Sequence, residues 1–266
     1  IKSMIPVLGT VILNGAHWLK KQIDSVDFPV ENYLIIDNGN ACTNNREIQL
    51  LISRPHKYIK NFTLATMPYN IGCAAGWNMV IKTYMHSPYW IITSHDVSFG
   101  PGFLEEMYTE AQDNEVGMVF GNGGDFNLGS FDCFLIKDTT IQSHGLFDEN
   151  FYPAYCEDSD YIMRLCVKPI KTVLNLKADY YHGEGIMGQG TDHDYYNTGM
   201  NTKKEAPELE EKLNESNTKN WDYMFKKWGP GWRDVEPWQY PFNIEGLDIR
   251  SSYIDLEFCK DKHLSN

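Results

Sequence analysis

Four places in this 266-residue chain hold residue types that could do chemistry. Asp37 closes an apolar run and opens Asp37-Asn38-Gly39-Asn40. A carboxylate there can accept from the imide N–H of uracil or thymine, or it can simply shape the turn. Asp96 ends Ser94-His95-Asp96, directly after a second apolar run. A carboxylate beside a pyrophosphate needs a divalent cation between them, and hard oxygen ligands suit Mg²⁺ or Mn²⁺. The stretch Tyr155-Cys156-Glu157-Asp158-Ser159-Asp160 puts three acids in four residues beside apolar positions. One of them can be a general base whose neighbours raise its pKa, or they can cap a helix starting near Ser159. His182 stands between Tyr180-Tyr181 and Gly183-Glu184-Gly185, where it can close a metal site opened by Asp96 or serve only as a structural histidine.

These residues need elements to hold them. The first half of the chain alternates strand and helix patterns. Ile5–Leu13, Tyr33–Ile36, Phe62–Thr66, Tyr89–Thr93 and Val116–Phe120 read as strands. Ala16, Leu19, Ile23 and Val26 form the stripe of an amphipathic helix, as do Ala74, Trp77, Ile81 and Met85, and a polar helical stretch lies near 44–53. Repeated strand–helix–strand units predict a mostly parallel sheet with helices on both faces. Ligands of such sheets bind outside the carboxyl ends of the strands, where Asp37 and Asp96 fall. Beyond residue 120, Gly121–Gly124 reads as a connector and Cys133–Ile136 as a strand. Ser159–Val167 reads as a helix with Ile162, Leu165 and Cys166 on one face, Lys171–Asn175 as a strand and Gly183–Gly199 as a mobile loop. Pro207 opens a helix running to Trp228, followed by a tail rich in Trp and Pro.

Composition narrows the function. With 23 Lys+Arg against 36 Asp+Glu the formal charge is −13, which argues against a nucleic-acid binder. The 42 % hydrophobic content excludes wholesale disorder. No apolar run approaches the ~20 residues needed to span a bilayer. Six scattered cysteines without CxxC spacing fit neither a disulfide scaffold nor a zinc site, and point to a reducing, cytoplasmic setting.

The order of these features resembles the family-two glycosyltransferases of GT-A fold, especially the rhamnosyltransferase-like branch. The resemblance runs over residues 4–185. It rests on Val11-Ile12-Leu13-Asn14 with Leu19, Ile23 and Ser25, then on Asp37-Asn38-Gly39-Asn40 and Asn70-Ile71-Gly72 through Asn78. It continues with Ser94-His95-Asp96 at the Asp-x-Asp position and Gly145-Leu146-Phe147-Asp148-Glu149-Asn150-Phe151. Glu157-Asp158-Ser159-Asp160 with Arg164, and a closing His182, complete it. One departure stands out: Ser94 replaces the first acid of Asp-x-Asp.

The resemblance implies a GT-A domain over residues 1–190 and a C-terminal extension over 191–266 packed on it. It implies inverting transfer of a hexose from a UDP- or dTDP-type sugar to a hydroxyl of a glycan or other acceptor. Asp158 would be the base, with Glu157 the fallback. Asp96 and His182 would hold Mn²⁺ or Mg²⁺ on the diphosphate. Val11, Leu13, Asp37, Asn70, His95 and Asp96 would line the nucleotide pocket. The rival reading is a non-catalytic nucleotide- or carbohydrate-binding protein on the same fold, with Ser94 as the mark of lost activity. A nucleotidyltransferase is disfavoured, because Leu13–His17 offers neither a Gly-rich loop nor a basic residue for phosphate.

Overall fold

A computed structural model describes residues 3–122, 128–174, 176–183, 185–187, 207–231 and 236–251. Ten strands and seven α-helices are seen among the described residues. In chain order they are β1 (Ile5–Ile12), α1 (Ala16–Asp24), β2 (Val30–Asp37), α2 (Arg46–Ile52), β3 (Ile59–Thr66), α3 (Cys73–Thr83), β4 (Tyr89–Ser94), β5 (Val97–Phe99) and α4 (Phe103–Ala111). They continue as β6 (Val116–Phe120), β7 (Cys133–Lys137), α5 (Asp138–His144), α6 (Glu157–Val167), β8 (Lys171–Val173), β9 (Tyr180–His182), β10 (Gly185–Met187) and α7 (Pro207–Trp228).

Seven strands form the main sheet in the order β3-β2-β1-β4-β7-β6-β8. Neighbours are parallel except around β7, which runs antiparallel to both β4 and β6. This is the mostly parallel sheet that the strand–helix alternation predicts. A second sheet, β10-β9-β5, lies beside it. Both faces of the main sheet are covered, so the central strands are mostly apolar and buried along nearly their whole length. In β2, Tyr33 and Ile35 join the core under α1, α2 and α4, while Leu34 and Ile36 join the core under α3, α6 and α7.

Most expected elements appear within two or three residues of their predicted ends. β5, α4, α5, β9 and β10 are not among the elements read from the sequence, although Phe103, Leu104, Met107 and Ala111 of α4 do form an apolar stripe. The helix expected over Ser159–Val167 begins two residues earlier, at Glu157, so Asp158 lies in its first turn and does not cap it. Its apolar face is also rotated: Tyr161, Ile162 and Met163 are buried, Leu165 is half-buried and Cys166 is exposed. The helix expected from Pro207 to Trp228 has those bounds. Most of the Gly183–Gly199 loop, part of the Gly121–Gly124 connector and Trp232 lie outside the described residues.

Candidate active site

The parallel registers align the carboxyl ends of β1, β2 and β4. Val11 is level with Ser94, and Ile12 with Asp37. The loops leaving these strands therefore meet at one edge of the sheet. A Cβ on Gly39 would lie 2.1 Å from the Leu13 carbonyl oxygen, so only glycine lets the loop after β2 close against the loop after β1. Asn38 then joins a third segment. Its amide donates to Asn70 Oδ1 at 2.8 Å and its carbonyl accepts from Ile71 N at 2.8 Å. Asn70 Oδ1 also accepts from Gly72 N at 2.9 Å. Val11, Leu13 and Asn70 are half-buried at this edge.

Asp37 is fully buried. Its Oδ2 accepts from Cys42 N at 3.1 Å, Thr43 N at 2.8 Å and the Thr43 hydroxyl at 2.8 Å. The same carboxylate leaves Oδ1 buried with no partner. Both sequence readings thus have a physical counterpart: one oxygen shapes the turn, and the other is an unused acceptor. An orphaned carboxylate oxygen in the interior is costly unless a donor reaches it.

His95 and Asp96 occupy the turn between β4 and β5. Gln22 of α1 holds that turn from below, its amide donating to Ser94 O at 2.7 Å and Val97 O at 2.8 Å. Strand β9 lies antiparallel to β5 with His182 opposite Val97, and Gly183 N donates to Asp96 O at 2.8 Å. His182 Nε2 lies 3.2 Å from Asp96 Oδ1. The expected pairing of Asp96 with His182 is therefore present as a contact. His95 is buried and borders the β1 loop, where a Cβ on Gly15 would come 3.0 Å from its Nε2.

A residue that the sequence did not single out completes this cluster. Asp132 directly precedes β7, and because β7 runs antiparallel to β4, its start lies beside the end of β4. Ser94 N donates to Asp132 O at 2.8 Å. Asp132 Oδ2 lies 3.3 Å from His182 Nδ1, and the Tyr180 hydroxyl donates to the same carboxylate at 2.9 Å. The imidazole of His182 is thus flanked by two carboxylates. Burial opposes its charge, but the hydrogen bonds to Asp132 and Asp96 outweigh that and push it up to about 10. Both carboxyls are held below the usual range: burial again works against their charge, and His182 overcomes it. No local sequence signal marks Asp132, since Ser94, Tyr180 and His182, its partners in this cluster, are 38 to 50 positions away.

The acidic stretch divides its three acids among separate tasks. Asp160 is buried between Arg164, the Trp228 indole N–H at 2.8 Å and Lys227 Nζ at 2.6 Å. Lys227 also meets Asp148 at 2.7 Å, so this network ties α7 to α6 and is structural. Glu157 is buried against Cys73, the first residue of α3. Burial, helped by the charge of Asp158, pushes its carboxyl up to about 8, and its Oε2 is buried without a partner. Asp158 is half-buried, and its Oδ1 accepts from Ser159 N at 2.6 Å.

The stretch is bound to the rest of the site. Cys73 N donates to Pro153 O at 2.7 Å, and the Tyr152 hydroxyl donates to Asn70 O at 2.9 Å. Tyr155 and Cys156 both sit in the left-handed region, at φ 75° and 76°. Such a conformation costs a non-glycine residue of order 1–3 kcal/mol, so the surroundings must enforce it. Asn220 of α7 does so, donating to Ala154 O at 2.8 Å and Tyr155 O at 3.0 Å.

Asp96 and His182 would serve a divalent cation together only once the imidazole gives up the proton it shares with Asp96 at 3.2 Å. One carboxylate and one imidazole make an incomplete set, and no cluster of three protein ligands occurs among the described residues. Phosphate oxygens and water would have to supply the remainder.

No protein-family model matches this chain. No curated protein matches it in sequence. Solved structures do match in shape. TarS 1–349 of S. aureus, alone and with UDP, aligns at a TM-score of 0.53 and 14 % identity, covering 67 % of this chain and 60 % of its own. The same protein with UDP-GlcNAc gives 0.52 and 13 % over 67 % and 58 %. A mannosyltransferase of Pyrobaculum calidifontis, solved with GDP-Man and Mn²⁺, gives 0.48 and 16 % over 64 % and 55 %. The chain thus spans about three fifths of the TarS chain it matches. At this identity the likeness is one of fold, and the fold shared with TarS is the GT-A type expected from the sequence.

Proposed function

We propose that this chain is a glycosyltransferase that binds a nucleoside diphosphate sugar at the ends of β1, β2 and β4. It passes the sugar, with inversion, to a hydroxyl of a glycan or similar acceptor. The observation that carries this reading is the division of labour in the acidic stretch. Glu157 is pushed up to about 8 by burial and keeps its proton at neutral pH, whereas the half-buried Asp158 beside it is placed to act as the base. A base is needed because the acceptor hydroxyl must lose its proton as the new C–O bond forms. Order of the motifs in the rhamnosyltransferase-like branch, and the nucleotides bound by TarS, agree with it.

In this scheme the unpartnered Asp37 Oδ1 accepts the N3–H of a pyrimidine base, which favours uridine or thymidine donors. Asn70 and the Leu13 loop hold the nucleoside. Asp96 and His182 would hold Mn²⁺ or Mg²⁺, which would supply positive charge against that developing on the leaving diphosphate. Asp158 takes the acceptor proton. The protein holds donor and acceptor in line, so that the base and the leaving group face opposite sides of the anomeric carbon.

The test is a thermal-shift and turnover screen of UDP-, dTDP- and GDP-sugars with Mn²⁺. A UDP- or dTDP-sugar should raise Tm and be consumed. Asp158→Asn should keep donor binding and lose turnover by 10²–10⁴-fold. Donor binding without any turnover of the wild-type chain would support the non-catalytic reading. Normal turnover in Asp158→Asn would overturn the assignment of the base.

A further inference from the structure

We propose that Gln22 is a positioning residue for the donor diphosphate, clamping the His95–Asp96 turn with one side-chain amide whose orientation Tyr33 fixes. The proposal rests on the reading that a nucleoside diphosphate sugar lies at the ends of β1, β2 and β4, with its phosphates beside that turn.

Gln22 stands in the last turn of α1 and is fully buried. Burying an amide is costly unless its polar atoms find partners, and here they do. The nitrogen carries two hydrogens, which go to Ser94 O at 2.7 Å and Val97 O at 2.8 Å. Those two carbonyls flank His95 and Asp96, so a single side chain spans the turn. The amide oxygen accepts from the hydroxyl of Tyr33, itself fully buried in β2. Carbonyl oxygens can only accept, so the amide nitrogen must face them and the amide oxygen must face Tyr33. A rotated amide would set oxygen against oxygen at both carbonyls.

The clamp joins residues up to 75 positions apart, and two neighbours of Gln22 extend it along the chain. Ser25 Oγ accepts from Phe99 N at 2.9 Å, and Asp27 Oδ2 accepts from Gly102 N at 2.9 Å. These brace β5 and the start of α4, while Gln22 braces the turn itself. Leu19 and Ile23 share its buried face of α1, so packing alone does not call for an amide there. What the amide supplies is a turn already fixed before the ligand arrives, which lowers the ordering cost of binding. It is also neutral at every pH, so it adds no negative charge near a phosphate, as a buried carboxylate would.

The experiment titrates uridine and UDP, each with Mn²⁺ present, into the wild type, Gln22→Met, Gln22→Glu and Tyr33→Phe. Circular dichroism and Tm report whether each variant is folded. Uridine carries the base and ribose without phosphate, so the ratio of UDP to uridine affinity isolates what the diphosphate end contributes. Gln22→Met keeps the volume and removes both donors, and UDP affinity should fall about 10-fold with uridine affinity unchanged. Gln22→Glu keeps the shape but has at most one hydrogen for two carbonyls, and should lie between Gln22→Met and the wild type. Tyr33→Phe leaves both bonds to the turn and frees only the amide oxygen, for a loss of about 3-fold. A merely structural role would lower Tm and leave the ratio alone. A wild-type ratio in folded Gln22 variants, or an equal fall for UDP and uridine, would therefore overturn the role of Gln22. If neither Gln22 variant folds, Tyr33→Phe decides by the same ratio. UDP that binds the wild type no more tightly than uridine would overturn the donor reading, and this proposal with it.

Discussion

Asn220 and Tyr155 are 65 residues apart in the chain, yet the amide of the first donates to the carbonyl of the second at 3.0 Å and to the carbonyl before it at 2.8 Å. A helix near the end of the described chain thereby holds the left-handed turn that aims Glu157 and Asp158. Removing the amide leaves two carbonyls without their donor next to a strained turn. Asn220→Ala should cost about 2–4 kcal/mol in urea unfolding. Its effect on turnover should exceed its effect on donor affinity, because the turn orients the acid and not the nucleotide. Equal losses in both would show that Asn220 only supports the fold.

The pH dependence of stability should carry the signature of Glu157. Its carboxyl ordinarily titrates near 4.5, and burial pushes it up to about 8 in the folded chain. A raised carboxyl pKa means that the folded state holds the proton more tightly than the unfolded state. The associated stability is fully present below about 4.5 and is lost as pH rises toward 8. Glu157→Gln removes that titration. Urea unfolding at pH 5, 6.5 and 8 should show the variant gaining on the wild type at each step, whereas a constant difference would refute the assignment.

Lys227 offers a sharper test of the core. It is fully buried between Asp148 and Asp160, at 2.7 and 2.6 Å. Lys227→Met keeps the volume and leaves two buried carboxylates short of a partner. Breaking a buried pair in this way costs about 3–5 kcal/mol, so the variant should be expressed poorly or melt far below the wild type. A change of less than 1 kcal/mol in the folded variant would mean that the network is not rigidly buried.

The fourth prediction concerns coupling between cation and nucleotide. Asp96 and His182 alone are a sparse ligand set, so Mn²⁺ should bind the free chain weakly and bind strongly once UDP adds its phosphate oxygens. Coupling is reciprocal, and Mn²⁺ should raise UDP affinity by the same factor. Asp96→Ala should abolish the synergy in calorimetric titrations performed in both orders. Equal UDP affinity with Mn²⁺ and with chelator would remove the cation from the site.

The parts legible in the sequence were those whose signals are local. The buried strand Tyr33–Ile36 and the helix from Pro207 to Trp228 announce themselves by apolar run and periodicity. Asp37, Asp96 and His182 could be singled out because each sits at a strand end or glycine loop. What the sequence hid was long-range. Asp132 looks like any polar residue before a strand until the reversed direction of β7 brings it to Ser94. Asp160 looked like one of three equivalent acids until Arg164, with Lys227 and Trp228 of α7, separated it from Glu157 and Asp158. Helix α6 began early because the turn before it is set by Asn220, which no local propensity reports.

The clamp formed by Asn220, Lys227 and Trp228 also bears on the order in which the molecule is made. Domains fold progressively as the chain leaves the ribosome, amino-terminal parts first. Every strand of the main sheet is synthesised before residue 174, so the sheet and its Asp96–Asp132 edge precede the helix that clamps the acidic turn. Until that helix emerges, Ala154 and Tyr155 lack the Asn220 amide, and Asp148 and Asp160 lack their lysine. The nascent chain is therefore able to build the sheet edge well before the acidic turn is set, and the clamp delays the working geometry of Asp158 until synthesis has passed Trp228.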